Sequence, residues 1–567
     1  MFYEQSGENT QPSLPMRNLI GLPNQQQQST DKMPGGAVGG VSVVNYDYEQ
    51  GKSSRAILIG LFAAFGGILF GYDTGTISGI IAMKPWLAQF GKATGNPADP
   101  YAITSSQQSG IVSILSAGTF FGALLAAVVA DWIGRKLGII VSCLVFAFGV
   151  ALQTAASGIP LFLAGRFFAG FGVGLISTFV PMYQSEAAPK ALRGAIVACY
   201  QLAITIGLLM AALANQGQHN KSGSSSYRVV IAIQFAWALI LGGGMMFLPE
   251  TPRFWIKKDR LEKAGNSLSR LRGLPATDPA IQAELAEIKA NHDYEMSFGE
   301  GSWLDCFRGG MAKRTWTGIW LQGFQQLTGV NFIFYYGTTF FQQAHFQNAF
   351  LASLITTLVN VCSTFPGIYG VERFGRRKLL LIGAAGMAIC EFIVAIVGTA
   401  TGMGSTTAND VLIAFVCVYI FFFASTWGPI AWVVIGEIFP LKIRAKGIAL
   451  SAASNWLWNW GIGYMTPYLV NPGPGNAGLE VKVFFLWGAT CTMCFVFAYF
   501  FIYETKGLSL EQVDELYEKR TARTSEGFVP TVEFARHEDV GVGGGKDVAE
   551  MVEYAGKGAH GNVHEMV

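Results

Sequence analysis

The feature that most constrains this chain is a succession of about twelve mostly apolar runs, each near the roughly 20 residues a helix needs to cross a bilayer core. They begin near Ala56, Gly110, Leu137, Pro160, Arg193, Arg228, Thr315, Asn348, Lys378, Val411, Ile448 and Val483, and polar or charged breaks separate them. Charge is nearly absent from the runs. Of 39 Lys and Arg and 37 Asp and Glu, 50 lie in three stretches: up to Arg55, from Glu250 to Arg314, and from Glu504 onward. Only 13% of residues are charged and 51% are hydrophobic, whereas a soluble globular protein carries about a quarter charged residues. An ordinary soluble enzyme is excluded. A barrel strand would be half as long and alternating, so the runs predict an all-α membrane protein with twelve transmembrane helices. The 21 Pro and 69 Gly are tolerated in such helices, where neighbours re-satisfy freed backbone groups. A net charge of +2 gives no reason to expect a nucleic-acid partner.

Orientation follows from the basic residues of the short loops. Alternate loops place Arg135, Lys136, Lys190, Arg193, Arg373, Arg376, Arg377, Lys378, Lys442, Arg444 and Lys446 on one side, against Lys84, Lys92, Lys221, Arg228 and Lys482 on the other. The first side is expected to be cytoplasmic, and an even number of spans puts both termini there. Residues 1–55, with Gln25 to Gln28 and Gly35 to Gly40, read as a disordered tail without the layout of a cleaved signal peptide. Seven of the eight Cys fall in apolar runs, where a thiol packs as a small apolar residue. The spacing of Cys491 and Cys494 is therefore read as packing and not as a metal site.

The short loops repeat. Asp131-Trp-Ile-Gly134-Arg135-Lys136 returns as Glu372-Arg-Phe-Gly375-Arg376-Arg377. Glu186, Pro189 and Arg193 return as Glu437, Pro440 and Arg444, and Glu250-Thr251 returns as Glu504-Thr505. Three matches in the same order imply two homologous six-helix halves, 56–249 and 315–503, joined by a cytoplasmic linker with short helices, 250–314, and followed by a cytoplasmic tail, 504–567. Parallel repeats of this kind place a midplane site between halves that rock. Orientation alone requires bases but not acids at fixed spacing. Asp131, Arg135, Glu186, Arg193, Glu250, Arg253, Glu372, Arg376, Glu437, Arg444 and Glu504 are therefore expected to form a cytoplasmic ion-pair gate, closed in one state and broken in another.

Five motifs carry a resemblance to the sugar porters of the major facilitator superfamily, between Arg55 and Tyr517. They are Gly71-Tyr-Asp-Thr-Gly75, Gly165-Arg166, Pro249-Glu-Thr-Pro-Arg253, Gln325-Gln-Leu-Thr-Gly-Val-Asn331 and Glu504-Thr-Lys-Gly507. The run Phe70 to Gly79 is most similar to fungal high-affinity hexose transporters. The resemblance implies the major facilitator fold, alternating access, a plasma-membrane location, a monosaccharide substrate with D-glucose first, and no cofactor.

Residue chemistry points the same way. Carboxamides donate and accept, and aromatic faces suit the C–H face of a pyranose. Gln201, Gln325, Gln326, Asn331, Asn360, Trp432, Asn455, Trp456 and Asn459 supply both inside the apolar runs and match the family's sugar-contact positions. Ala424 stands where some mammalian relatives carry Glu, so one contact used there is absent. Ionisable groups inside spans are costly and suggest function; here they are Asp73, Arg166, Glu391 and, near a span end, Glu437. Asp73 and Arg166 resemble the family's proton-coupling pair, which implies proton symport. A structural ion pair in a facilitative uniporter, and a glucose sensor of the same fold, are the other readings. Glu391 has no role in any of them. Asn220-Lys-Ser222, in a predicted outer loop, is the candidate glycosylation sequon.

Overall fold

The computed structural model describes residues 53–95, 100–188, 193–297, 302–344, 348–401, 406–440, 443–508 and 510–529. The first 52 residues, expected to be a disordered tail, lie outside the described residues. The first half of the described chain consists of α1 (Ser53–Ile80), α2 (Lys84–Phe90), a two-residue pair of antiparallel strands at Lys92–Ala93 and Tyr101–Ala102, α3 (Ser105–Ile133), α4 (Arg135–Ala155), α5 (Ile159–Ala187), α6 (Arg193–Gln218) and α7 (Ser225–Met245). Three short helices follow, α8 (Pro252–Lys257), α9 (Leu261–Arg272) and α10 (Pro279–Ser297). The second half holds α11 (Gly309–Leu327), α12 (Val330–Gln343), α13 (Ala349–Phe374), α14 (Arg376–Thr401), α15 (Thr406–Phe422), α16 (Gly428–Glu437), α17 (Arg444–Val470) and α18 (Val483–Phe501), with α19 (Leu510–Lys519) beyond it.

Twelve crossings result when α11 with α12, and α15 with α16, each count as one interrupted crossing. Ten of them are apolar enough to be recognised by length and hydropathy alone. The α11–α12 crossing falls short because it is broken, and α17 because Asn455, Asn459 and several Trp and Tyr lower its hydropathy. The seventh crossing is thus not the single helix expected from Thr315.

Local chemistry explains the two interruptions. Gly329 adopts φ +85° between α11 and α12, a left-handed conformation that stops the first helix. In the tenth crossing a π-helical turn at Phe423–Trp427 precedes Pro429, and the carbonyls of Trp427 and Gly428 beside it accept from one side chain of α11, Gln325.

Packing between crossings relies on small residues, since lipid gives no hydrophobic force between helices. Gly67, Gly71, Gly75 and Gly79 repeat every fourth residue along α1, and a Cβ on any of them would strike α6, at Tyr200 and Ala203, Ile204, Ala211 and Asn215 respectively. Across the halves, α3 lies along α17 and α6 along α13. The end of the bundle away from the basic loops is closed by bonds between the halves. Ser78 and Thr338 hydroxyls meet at 3.1 Å, Ser109 donates to the Tyr464 carbonyl at 2.7 Å, and Asn471 Nδ2 donates to Gln108 Oε1 at 2.9 Å. His219 stacks on Phe350 at the same end, centroids 4.4 Å apart.

The linker helices cover the basic end, with Ala264, Leu268 and Leu271 of α9 buried. The segment after Glu504 is also packed there as far as the structure describes it. Tyr517 of α19 stacks on Tyr503 at 4.1 Å, and buried Arg314 at the start of the seventh crossing pairs with Asp514.

Candidate functional site

The break in the seventh crossing puts Gln325 and Gln326 in the last turn of α11 and Asn331 in the first turn of α12. Asn455 and Asn459 stand one turn apart on α17, facing them. The five carboxamides form one network. Gln325 Nε2 donates to the Trp427 and Gly428 carbonyls at 3.0 and 2.9 Å, and its Oε1 accepts from Asn455 Nδ2 at 2.7 Å. Gln326 Oε1 accepts from Asn331 Nδ2 and, at 3.0 Å, from Asn459 Nδ2. Asn459 Oδ1 accepts from Tyr335 at 3.0 Å and from Ser116 at 2.5 Å, and Ser116 belongs to the other half. All five are buried. A neutral polyol is the ligand such groups can bind by exchanging bonds among themselves for bonds to hydroxyls.

The other predicted contacts stand around this network. Trp456, buried beside Asn455, meets Phe70 of the other half edge-on at 5.3 Å. Gln201 is half-buried on α6 with its amide directed toward Gly428. Asn360 is buried on α13 and Trp432 half-buried on α16; both lie outside the amide network among the described residues. Sequence reasoning missed Gln322, whose Oε1 accepts from Asn455 at 2.7 Å, together with Tyr335 and Ser116. Gln322 was detectable, being one turn before Gln325 and Gln326 on the same helix face.

Asp73 of α1 and Arg166 of α5 are 0% and 1% exposed as side chains, with Oδ1 and Nη1 at 3.4 Å. The pair is only partly satisfied: Asp73 Oδ2 and Arg166 Nη2 have no partner among the described residues, while Arg166 Nε donates to the Ile111 carbonyl. Gln234 of α7 borders Asp73. Tyr335, which bonds Asn459 in the amide network, lies in the neighbourhood of this pair.

At the basic end the repeated loop residues build the same device twice. Gly134 and Gly375 hold φ +90° and +88°, and a Cβ there would collide with the Glu250 and Glu504 carboxylates. Each carboxylate instead caps the helix that follows the glycine. Glu250 accepts the Arg135 and Lys136 N–H groups at 3.2 and 2.9 Å, and Glu504 those of Arg376 and Arg377 at 2.9 and 3.1 Å, as a helix N-terminus favours. The arginine side chains reach sideways: Arg135 to Glu186 at 2.9 Å and Arg376 to Glu437 at 2.8 Å. Each triad thus joins three crossings of a single half. Burial pushes the Glu250 carboxyl above its usual range, although the N–H groups of Thr251, Lys136 and Arg135 and the Arg135 charge oppose this. The copies differ around the second glutamate: Arg135 Nε and Nη2 both donate to Glu186 Oε1, whereas Arg376 divides them between Glu437 Oε2 and Oε1. Thr505 donates to Glu437 Oε2 at 2.6 Å, whereas the corresponding Thr251 Oγ1 and Glu186 Oε2 are buried without partners among the described residues.

Of the five other members of the predicted gate, three have described side chains and their recorded bonds lie outside these triads. Asp131 pairs instead with Lys257 of α8 at 2.8 Å, both largely exposed. The α8 helix belongs to the linker that follows the first half and brings this cation to that helix end. Arg253 is exposed and has no ion pair among the described residues. Arg444 donates from Nε to the Phe439 carbonyl at 3.1 Å. The side chains of Arg193 and Glu372 lie outside what the structure describes. Asn220 is exposed in the turn after α6, at the end away from the basic loops.

Fold and site together define a membrane sugar porter. The chain belongs to the family described as "Sugar (and other) transporter", whose model matches residues 59–517. It is 56% identical over 490 residues, 85% of this chain and 91% of the relative, to the major facilitator-type transporter ecdD of Aspergillus rugulosus. It is 48% identical to the probable glucose transporter rco-3 of Neurospora crassa, over 88% of this chain and 85% of that one. Identity to the high glucose sensor RGT2 of Saccharomyces cerevisiae is 47% over 82% of this chain, which spans 61% of that sensor's length. Among solved structures, the proton:xylose symporter XylE bound to 6-bromo-6-deoxy-D-glucose matches with a TM-score of 0.67 and 27% identity, covering 82% of this chain and all of XylE.

Proposed function

We infer that the protein carries a hexose, D-glucose first, across the plasma membrane by alternating access, with its basic end and both termini in the cytoplasm. The observation that carries this reading is the carboxamide network at the break of the seventh crossing, tied to the other half through Ser116. Gln201, Gln325, Gln326, Asn331, Asn360, Asn455 and Asn459 bind hydroxyls, and Trp432 and Trp456 offer faces to the ring. The Arg135 and Arg376 triads act as a cytoplasmic gate, and a glycan sits on Asn220.

Coupling runs through Asp73. A partly satisfied, buried ion pair next to the sugar network is a proton site: protonation of Asp73 discharges the pair and releases α1 from α5. The similarity to a proton:xylose symporter supports this part. A glucose sensor is the second reading, favoured by the match to RGT2.

Labelled-glucose uptake in cells without their own hexose carriers tests all three. Accumulation abolished by a protonophore is the expected result. Equilibration indifferent to the protonophore would leave a uniporter, and binding without turnover would leave a sensor.

A further inference from the structure

Glu391 is the charged-type residue that the transport reading leaves unused. It lies on α14, the ninth crossing, and is 1% exposed. A Cβ built on Gly329 would stand 3.0 Å from its Oε1, so the carboxyl abuts the break between α11 and α12. Its Oε2 has no partner among the described residues. Among the described residues the groups recorded around it are uncharged: Cys491, Cys494 and Trp487 of α18, Tyr419 of α15, and Cys390 on its own helix. A carboxylate in such surroundings would have no counter-ion among the described residues.

The same neighbours hold the end of α11. Thr490 donates to the Leu327 carbonyl at 2.6 Å, Tyr419 to the Thr328 carbonyl at 2.8 Å, Cys491 to the same carbonyl at 3.6 Å, and Cys494 to the Phe324 carbonyl at 3.5 Å. Carbonyls freed by the break are thus satisfied by side chains from behind. Gln325 and Gln326 lie just before this anchor and Asn331 just after it. Whatever fixes the angle at Gly329 also fixes the spacing between Gln326 and Asn331.

We propose that Glu391 is a positioning residue of the sugar site, held as an uncharged acid that wedges the α11–α12 break and so sets the geometry of Gln325, Gln326 and Asn331. It acts on affinity without touching sugar. The inference rests on the amide network being the sugar site, and wild-type glucose uptake in the same cells is the control for that reading.

The test compares glucose KM and surface level for wild type, Glu391→Gln, Glu391→Asp and Glu391→Leu in cells without other hexose carriers. The neutral isostere Glu391→Gln keeps KM within about twofold of wild type, and the two profiles stay parallel from acidic to mildly alkaline pH. Shortening the wedge in Glu391→Asp, or removing its polar end in Glu391→Leu, raises KM about fivefold or more at equal surface level, the effect expected when hydrogen bonds to the ligand are misaligned. A purely structural role would lower surface level and leave KM unchanged. Wild-type KM in Glu391→Asp would overturn the proposal, a variant more conservative than Glu391→Leu should the latter fail to fold. So would a KM in Glu391→Gln as high as in Glu391→Leu, or a KM ratio between wild type and Glu391→Gln that changes with pH. Absence of wild-type uptake would overturn the sugar reading and this one together.

Discussion

Gln326→Ala is the most direct probe of the carboxamide network. In the structure Gln326 Oε1 is the shared acceptor of Asn331 and Asn459, while its Nε2 donates at 3.4 Å to Gln325. Truncation leaves two buried N–H donors without an acceptor, each costing about 1–3 kcal/mol. The penalty falls on the network as it is bonded here, and a comparable loss falls on the sugar-bound state, where the same amide meets hydroxyls. At roughly 1.4 kcal/mol per decade, one lost sugar bond raises the glucose KM about tenfold. Two orphaned donors slow the return of the empty carrier as well. Net uptake is therefore expected to fall further than sugar-for-sugar exchange, which bypasses that return. The assay is initial-rate glucose uptake with and without sugar preloaded inside the cell, normalised to surface level. A KM within twofold of wild type, with net uptake and exchange unaltered, would refute the assignment of Gln326 to the site.

Three further outcomes are expected. Arg376→Ala breaks a partly buried pair with Glu437, a loss of about 1–3 kcal/mol, and Arg135→Ala the equivalent pair with Glu186. Both should expose cysteines placed at the cytoplasmic end to labelling, whereas unchanged labelling would argue against the gate. Asp73→Asn mimics the protonated acid and should abolish accumulation while keeping exchange down a gradient. In wild type, one charge moved through 100 mV supplies about 2.3 kcal/mol, roughly fifty-fold accumulation; wild-type uptake that only equilibrates would make Asp73 and Arg166 structural. Asn220→Gln should remove a glycosidase-sensitive mobility shift, and a shift that persists in the variant would place any glycan elsewhere.

The duplicated loops were legible because the same physical problem occurs twice. A helix starting right after a tight glycine turn needs an acceptor for its first N–H groups, and Glu250 and Glu504 recur at matching positions to provide one. The polar residues of the sugar site were legible for the opposite reason, since carboxamides stand out in an apolar span. The arrangement of those residues was harder to read. Gly329 is one glycine among 69, and only the described backbone, φ +85°, marks it as the break that separates Gln326 from Asn331. The π-helical turn at Phe423–Trp427 leaves no signal in a hydropathy pattern. The partner of Asp131 was not legible in the repeat, because Lys257 lies on a linker helix outside the repeated unit.

The two ends of the bundle are bonded with different chemistry, and the difference matters to a cell whose surroundings change while its interior is buffered. Hydroxyls and carboxamides make the bonds that seal the end away from the basic loops, from Ser78 and Thr338 to Gln108 and Asn471. Bonds between neutral dipoles are little affected by ionic strength, whereas contacts between charges are weakened by dissolved salt to the extent that solvent reaches them. On the proposed orientation, an outer seal built this way has nearly the same strength in brine and in dilute growth medium. On that orientation the charged contacts within each half face the cytosol, where ionic strength is regulated, so the salt-sensitive contacts are kept away from the salinity of the environment.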